Sequence, residues 1–241
     1  MPNFNHVSKV ILLLCLFALN ACQSQSRLVS GALTTHTEEK LEYYLYYPEG
    51  YDSNPDDEFG ILLFLHGGGE SGGSLDDLTR SGPPKMLVEG KQFPFLVLAP
   101  QNPHKKKWWN TYALIQLLDD VVEKNRVDPK RIYLSGLSRG GSAAWSLAVQ
   151  YPEKFAAMAV VCGMTPVSYA HWIDKNMPIW VFHGDQDEVI SVSESDIMVK
   201  KLKSMGYSVQ YTRYKGVGHN SWVQAYTTDE LYTWLANQKR K

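Results

Sequence analysis

The sequence predicts a single α/β domain with a mainly parallel sheet and helices on both faces. Three observations lead there. Short apolar runs at 59–65, 95–99, 156–161 and 179–182 have the composition of strands buried on both faces of a sheet. Between them, Leu114, Leu117, Leu118, Val121 and Val122 keep helical spacing over residues 112–125. A β-rich run at 131–134 also passes directly into Gly136-Leu137-Ser138-Arg139-Gly140 and then into helix-forming sequence from 142. That strand, tight turn, helix order is the setting in which a G-x-S-x-G pattern puts a serine on a strained turn at the sheet edge.

Taken in order, the chain begins with a short polar region ending at Lys9, followed by an almost wholly apolar stretch at 10–19. About ten apolar residues are half the roughly 20 needed to span a bilayer, and the layout is that of a secretory signal over residues 1–21. The closing Leu19-Asn20-Ala21-Cys22 resembles the lipobox of bacterial lipoproteins. The resemblance implies lipidation of Cys22 as the new N-terminus and an exported, membrane-tethered protein. Gln23 after the cysteine favours the outer membrane by the same resemblance, on its periplasmic or cell-surface face. Residues 22–35, polar and small, read as a spacer, and 36–241 as the catalytic domain.

Of the three cysteines, Cys15 leaves with the signal and Cys22 carries lipid, so Cys162 stands alone in the mature domain and no internal disulfide forms. The apolar run before Cys162 makes it a small core residue. No C-x-x-C or H-E-x-x-H spacing points to a metal, and no cofactor is expected. A formal net charge of −1 and the lack of a long basic tract exclude nucleic acid as the main partner. The one basic cluster, Lys105-Lys106-Lys107, reads as a solvated loop.

Leu41, Tyr43, Leu45 and Tyr47 alternate at period two, which predicts an early strand ending at Pro48. Residues 51–58, with Asn, Pro and Asp, form a loop. The strand at 59–65 ends in His66-Gly67-Gly68-Gly69-Glu70-Ser71-Gly72-Gly73. This loop lacks the G-K-[ST] ending of a P-loop and the spacing of G-x-G-x-x-G. It reads instead as an oxyanion loop, with the N–H groups of Gly68 and Arg139 as donors and Gly69 as the fallback; such a donor contributes about 2.7 to 4 kcal/mol. After the strand at 95–99, the loop 101–110 carries Trp108 and Trp109, either as core packing or as a substrate wall on the ligand-binding side of the sheet. Asp128-Pro129 turns the chain into the strand before Ser138. Residues 162–178 leave no room for a cap, so the site is expected to be open.

A serine hydroxyl needs a base, itself oriented by a third group. The strand at 179–182 runs into His183-Gly184-Asp185-Gln186-Asp187. Asp185, directly after a glycine, reads as a turn residue and His183 as a structural strand-end histidine, which leaves Asp187 as the acid. The last strand, at 209–214, ends in Gly216-Val217-Gly218-His219, just before a final helix at 228–237, and His219 fits the base. The chain order Ser138, Asp187, His219 matches one of the three known triad orders.

With those residues in place, the stretch from about 41 to 235 resembles the α/β-hydrolase superfamily. It is similar within it to the predicted peptidase or phospholipase/carboxylesterase-like branch, near feruloyl esterases and polyhydroxybutyrate depolymerases. The matching segments are LFLHGGGESG (63–72), APQNP (99–103), WW (108–109), DPKRIYLSGLSRGGSAAW (128–145), FHGDQDEVI (182–190) and GVGHNSW (216–222). The resemblance implies an α/β-hydrolase fold without a large cap, and a serine esterase working through an acyl-enzyme. It further implies feruloyl or acetyl esters of plant polysaccharide as substrates, with Trp108, Trp109, Arg139 and Trp222 in contact with them. The alternatives are a serine peptidase of the same fold and a non-catalytic carbohydrate-binding lipoprotein. The position after the nucleophile is often methionine in this branch. Arg139 resembles the serine-arginine pair of glucuronoyl esterases, where it can favour a carboxylate-bearing substrate, unless it points away to a surface acid.

Overall fold

The computed structural model describes residues 26–34 and 39–241, so the signal segment and Cys22 lie outside the described residues. Eight strands form one sheet: β1 (Arg27–Thr34), β2 (Lys40–Tyr47), β3 (Phe59–Leu65), β4 (Leu96–Pro100), β5 (Val127–Leu137), β6 (Ala157–Val161), β7 (Ile179–Gly184) and β8 (Val209–Tyr214). Their order is β1-β2-β4-β3-β5-β6-β7-β8. The first two pairings, β1 with β2 and β2 with β4, are antiparallel, and every pairing from β4 to β8 is parallel. Six parallel strands thus deliver their carboxyl ends to one edge of the sheet.

Alternation along each strand builds two cores. Ile61, Leu63 and Leu65 of β3 face one side with Leu96 and Leu98 of β4 and Val160 of β6, and this side is covered by α2 (Thr111–Lys124), α3 (Arg139–Gln150) and α4 (Val192–Ser204). Leu62 and Phe64 face the other side with Val97, Tyr133, Ala159 and Phe182, beneath α1 (Gly82–Val88), α5 (Trp222–Thr227) and α6 (Asp229–Ala236). Burial on both faces is why these strands read as continuous apolar runs. The α2 helix starts where Asn110 accepts the Ala113 N–H, an N-cap that satisfies one of the free first-turn donors.

Four sequence expectations shift. Residues 27–34 of the expected spacer form β1, paired with β2 from Arg27 opposite Tyr47 to Thr34 opposite Lys40. Only Val29, Gly31 and Leu33 turn inward, and the Tyr43 ring lies across the space a Cβ on Gly31 would need. Such a half-exposed edge strand carries a weak apolar signal. Asp128-Pro129 is a bulge inside β5, not a turn before it: Val127 pairs with Phe59 and Ile132 with Ile61. Asp128 holds the bulge by accepting from Lys130 N, Arg131 Nε and Lys239 Nζ. The helix after the nucleophile starts at Arg139, three residues early, and the final helical stretch opens with α5 at Trp222.

A chain starting at residue 36 would lack β1 and so expose the outer edge of β2 and the surface that Val29 and Leu33 cover. Loss of about 2 kcal/mol, a fall in Tm of roughly 4–8 °C against a chain starting at residue 24, is expected in thermal unfolding. Equal Tm values would make residues 27–34 a spacer after all.

Candidate active site

The turn between β5 and α3 holds Ser138 at φ 52°, ψ −117°, a conformation that costs a non-glycine residue of order 1–3 kcal/mol. The surrounding contacts impose it. Ser138 N–H donates to Val161 O (2.9 Å), and its carbonyl accepts from Ser142 N (2.9 Å). The two flanking glycines are steric requirements. A Cβ on Gly140 would lie 2.0 Å from Leu65 O, and one on Gly136 would lie 2.3 Å from Gly140 O. The end of β3, the end of β5 and the start of α3 therefore meet with no room for a side chain, and Ser138 is driven out at the sheet edge.

The ends of β7 and β8 bring up its partners. His219 Nε2 lies 2.9 Å from Ser138 Oγ, and His219 Nδ1 lies 2.7 Å from Asp187 Oδ2. The two loops approach through Gly184, where a Cβ would meet Val217 O at 2.2 Å and Gly218 O at 2.4 Å. Asp187 is fully buried at its side chain, and its Oδ1 accepts the N–H groups of Val189 and Ile190, both at 2.9 Å. Burial pushes its carboxyl up, but the hydrogen bonds from His219 and from Ile190 and Val189 outweigh it and hold the group below the usual carboxylate range. Asp185 is the turn residue expected of it, accepting Gly216 N–H at 2.7 Å.

The glycine loop is held from beneath by His66, which the sequence did not single out. Its Nδ1 donates to Gly67 O (2.7 Å) and its Nε2 accepts from Asn102 N (3.0 Å), a pattern that fixes one neutral tautomer. Burial, the largest influence, drives its protonation downward. Trp109 covers the ring at 4.7 Å and donates to His66 O at 3.3 Å. Gln101 Nε2 donates to the carbonyls of Glu70 and Ser74, both at 2.9 Å, and Gly72 N–H donates to Asn102 O at 2.8 Å. The loop at 101–110 and the glycine loop are thereby one body.

Arg139 ties that body to the turn that carries Ser138. Its Nη1 donates to Lys105 O (3.0 Å) and Lys107 O (3.3 Å), and the guanidinium lies over Gly68, where a Cβ would meet it at 3.0–3.4 Å. The side chain engages main-chain carbonyls and, among the described residues, no acid. The two tryptophans differ in burial. Trp109 is packing, 7% exposed, whereas Trp108 is 58% exposed and stands between two cavities.

The first cavity, about 520 Å³, holds Ser138 and His219 together with Gly67, Gly68, Gly69, Arg139 and Trp222. The Trp222 ring stands edge-on to His219 at 5.3 Å. The second, about 400 Å³, is walled by Trp108, Ala143, Met164, Pro166 and Tyr169, with Ser146, Thr165 and Glu194 as polar groups. Its outer wall is the short segment between β6 and β7, which contains one helical turn, Val167–His171, and no cap. None of Met164, Thr165, Tyr169 or Glu194 was predicted. Met164, Thr165 and Tyr169 lie in the segment between β6 and β7, which has no periodicity to mark them, and Glu194 lies in the first turn of α4, where an acid reads as helix capping.

Cys162, Asp187 and His219 bring their ligand atoms within 4.8 Å of one another. Burial holds the Cys162 thiol up at about 12, so it is no thiolate ligand, and Asp187 and His219 are engaged with each other. The geometry is that of a histidine held between Asp187 and Ser138, with the Cys162 thiol packed beside it.

Known proteins similar to this chain bear on what the arrangement does. Residues 90–233, more than half of the chain, match the Phospholipase/Carboxylesterase family. Feruloyl esterase B of Thermothelomyces thermophilus is 24% identical over 240 residues, covering 76% of this chain and 77% of that enzyme. Acetylxylan esterase A of Aspergillus ficuum is 25% identical over 180 residues, covering 68% of this chain and 56% of that enzyme. The crystal structure of a thermostable esterase superposes with a TM-score of 0.78 at 31% identity over 88% of this chain, which spans 63% of that esterase's length.

The close contact at Gly140 can be tested directly. Gly140→Ala is expected to destabilise the fold by about 3 kcal/mol or more through the clash with Leu65 O, and to lower reactivity of Ser138 beyond the loss of folded protein. Urea unfolding alongside active-site titration checks it, and a fully reactive, equally stable variant contradicts the packing described.

Proposed function

The chain belongs to the phospholipase/carboxylesterase family, and from that premise we propose that it is a serine hydrolase of carboxylic esters, acting through an acyl-enzyme on feruloyl or acetyl esters of plant polysaccharide. The observation that carries this reading is His219 bridging Ser138 and Asp187 at 2.9 and 2.7 Å. His219 takes the Ser138 proton as Oγ attacks the ester carbonyl, and Asp187 holds Nδ1–H and stabilises the imidazolium. The N–H groups of Gly68 and Arg139 receive the oxyanion, and collapse expels the alcohol, to which His219 returns the proton. Water then repeats the sequence, with His219 as its base, and releases the acid and Ser138.

The cavity beyond Trp108 supports a bulky acyl group. It begins at Ser142 and Ala143, about one helical turn along α3 from Ser138. Its walls are apolar and aromatic, suited to a flat ring. Thr165 Oγ1, buried without a hydrogen-bond partner among the described residues, and the Glu194 carboxylate offer partners to a hydroxyl on that ring. The lipobox-like Leu19-Asn20-Ala21-Cys22 supports an exported domain tethered to a membrane through Cys22.

Purified protein is expected to hydrolyse methyl ferulate, acetylated xylan or short p-nitrophenyl esters and to take a fluorophosphonate label. Ser138→Ala should abolish the label and lower kcat by on the order of 10⁴- to 10⁶-fold. Activity on peptides alone would sink the ester reading, and an unlabelled wild type would sink the enzyme reading. A second variant tests the acyl cavity. Ser146→Phe fills it from one wall, and kcat/KM for methyl ferulate is expected to fall about tenfold or more while p-nitrophenyl acetate is spared, since one ring's worth of lost burial is worth about 1.5–3 kcal/mol. Equal losses on both esters would mean the cavity does not hold the acyl group.

A further inference from the structure

Sequence reasoning leaves His183 as a structural histidine at the end of β7, yet its contacts are those of a group built into the site. The imidazole is fully buried. Its Nε2 lies 3.1 Å from Asp187 Oδ2 and 2.9 Å from Ile190 O. Both of those atoms accept and neither donates, so Nε2 carries the hydrogen and divides it between them. On the far side, Nδ1 lies 2.7 Å from Ser195 Oγ of α4, whose hydroxyl can donate to it. Three separate elements, β7, the acid loop and α4, therefore fix the ring's position and its tautomer.

We propose that His183 is a positioning residue for the triad acid, a second imidazole N–H that shares Asp187 Oδ2 with the base His219. The proposal rests on the reading of Asp187 as that acid. With His183 in place each carboxylate oxygen has two donors. Oδ1 takes the N–H groups of Val189 and Ile190, and Oδ2 takes His219 Nδ1 and His183 Nε2. A carboxylate held at one oxygen alone can swing about its Cβ–Cγ bond. One held at both presents a single oxygen, in a single plane, to the base. The bond to His219 is the shorter, 2.7 against 3.1 Å, so His183 orients Oδ2 without displacing the base. The same N–H holds the Ile190 carbonyl, and Val189 and Ile190 line the cleft beside Ser138. His183 thereby also sets one wall of the site through the loop that carries the acid.

His183→Phe, His183→Gln and Ser195→Ala form the test. The first removes the N–H, the second restores a donor on a side chain of similar reach, and the third leaves the N–H but removes the hydroxyl that sets the ring. Three readouts apply to each: kcat and KM on p-nitrophenyl acetate, the low-field proton NMR resonance of His219 Nδ1–H, and thermal unfolding. His183→Phe is expected to lower kcat about 10- to 100-fold with KM within about twofold, the range typical for removing an outer partner of a ligating group, and to shift or broaden the resonance. His183→Gln is expected to recover most of kcat. Ser195→Ala should move the resonance in the same sense with a smaller loss of kcat, and it decides the matter if His183→Phe does not fold. Unchanged kcat and resonance in Ser195→Ala and in whichever His183 variants fold would overturn the proposal, as would losses that follow the unfolded fraction and are the same for Gln and Phe. Failure of the esterase reading is separately visible as a wild type that takes no fluorophosphonate label, and the resonance of His219 still reports on His183 in that case.

Discussion

The molecule turns on one steric constraint, the closure of the β5–α3 turn against the end of β3. Ser138 occupies a backbone region that L-residues avoid, and the strain is held by two main-chain hydrogen bonds and by contacts that admit no Cβ at Gly136 or Gly140. Everything else in the site is placed relative to that turn. The glycine loop leaves β3 beside it, because the Leu65 and His66 carbonyls are the atoms against which Gly140 packs. The Val161 carbonyl at the end of β6 receives the Ser138 N–H, which brings the segment walling the second cavity alongside. A rigid sheet edge with six parallel strand ends makes these distances reproducible, and the fixed geometry is what holds the Ser138 hydroxyl within hydrogen-bond distance of His219.

Electrostatics then sorts the polar groups that the sheet edge collects. Asp187 and Cys162 sit close together in the same low-dielectric layer, and burial raises the proton affinity of both. Only Asp187 has donors enough to reverse the effect. Four N–H groups converge on its two oxygens, so it stays ionised where the Cys162 thiol keeps its proton. The outcome is a single fixed negative charge behind His219. A buried charge without that set of donors would take up a proton, and His219 would lose the partner that holds its tautomer.

How much of this could be read in the chain follows from what sequence can encode. Ser138, Asp187 and His219 were legible because parallel strands end at one edge, so polar residues just beyond apolar runs must converge there. The strands buried on both faces were legible because burial on both sides leaves a continuous apolar run. The β1 strand was not, since an edge strand with Gly31 under Tyr43 and alternate residues in solvent has the composition of a spacer. The second cavity was hidden in a short aperiodic segment whose wall-forming residues, Met164, Pro166 and Tyr169, share no spacing. The role of the Arg139 side chain was illegible for a further reason: its acceptors are the carbonyls of Lys105 and Lys107, and main-chain atoms leave no mark on residue identity.

Arg139 and Trp108 together show how one loop can shape both halves of the cleft. The 101–110 loop is bonded to the glycine loop through Gln101 and Asn102, and to the nucleophile turn through Arg139, so it cannot move independently of either. Trp108 projects from that anchored loop into solvent, with one side on the cavity of Ser138 and the other on the cavity beside α3. An exposed tryptophan on a mobile loop would be a poor partition. On this one it is a fixed divider, and the guanidinium that secures it sits over Gly68, beside Ser138. The charge next to Ser138 therefore acts first as a structural tie, satisfied by main-chain carbonyls.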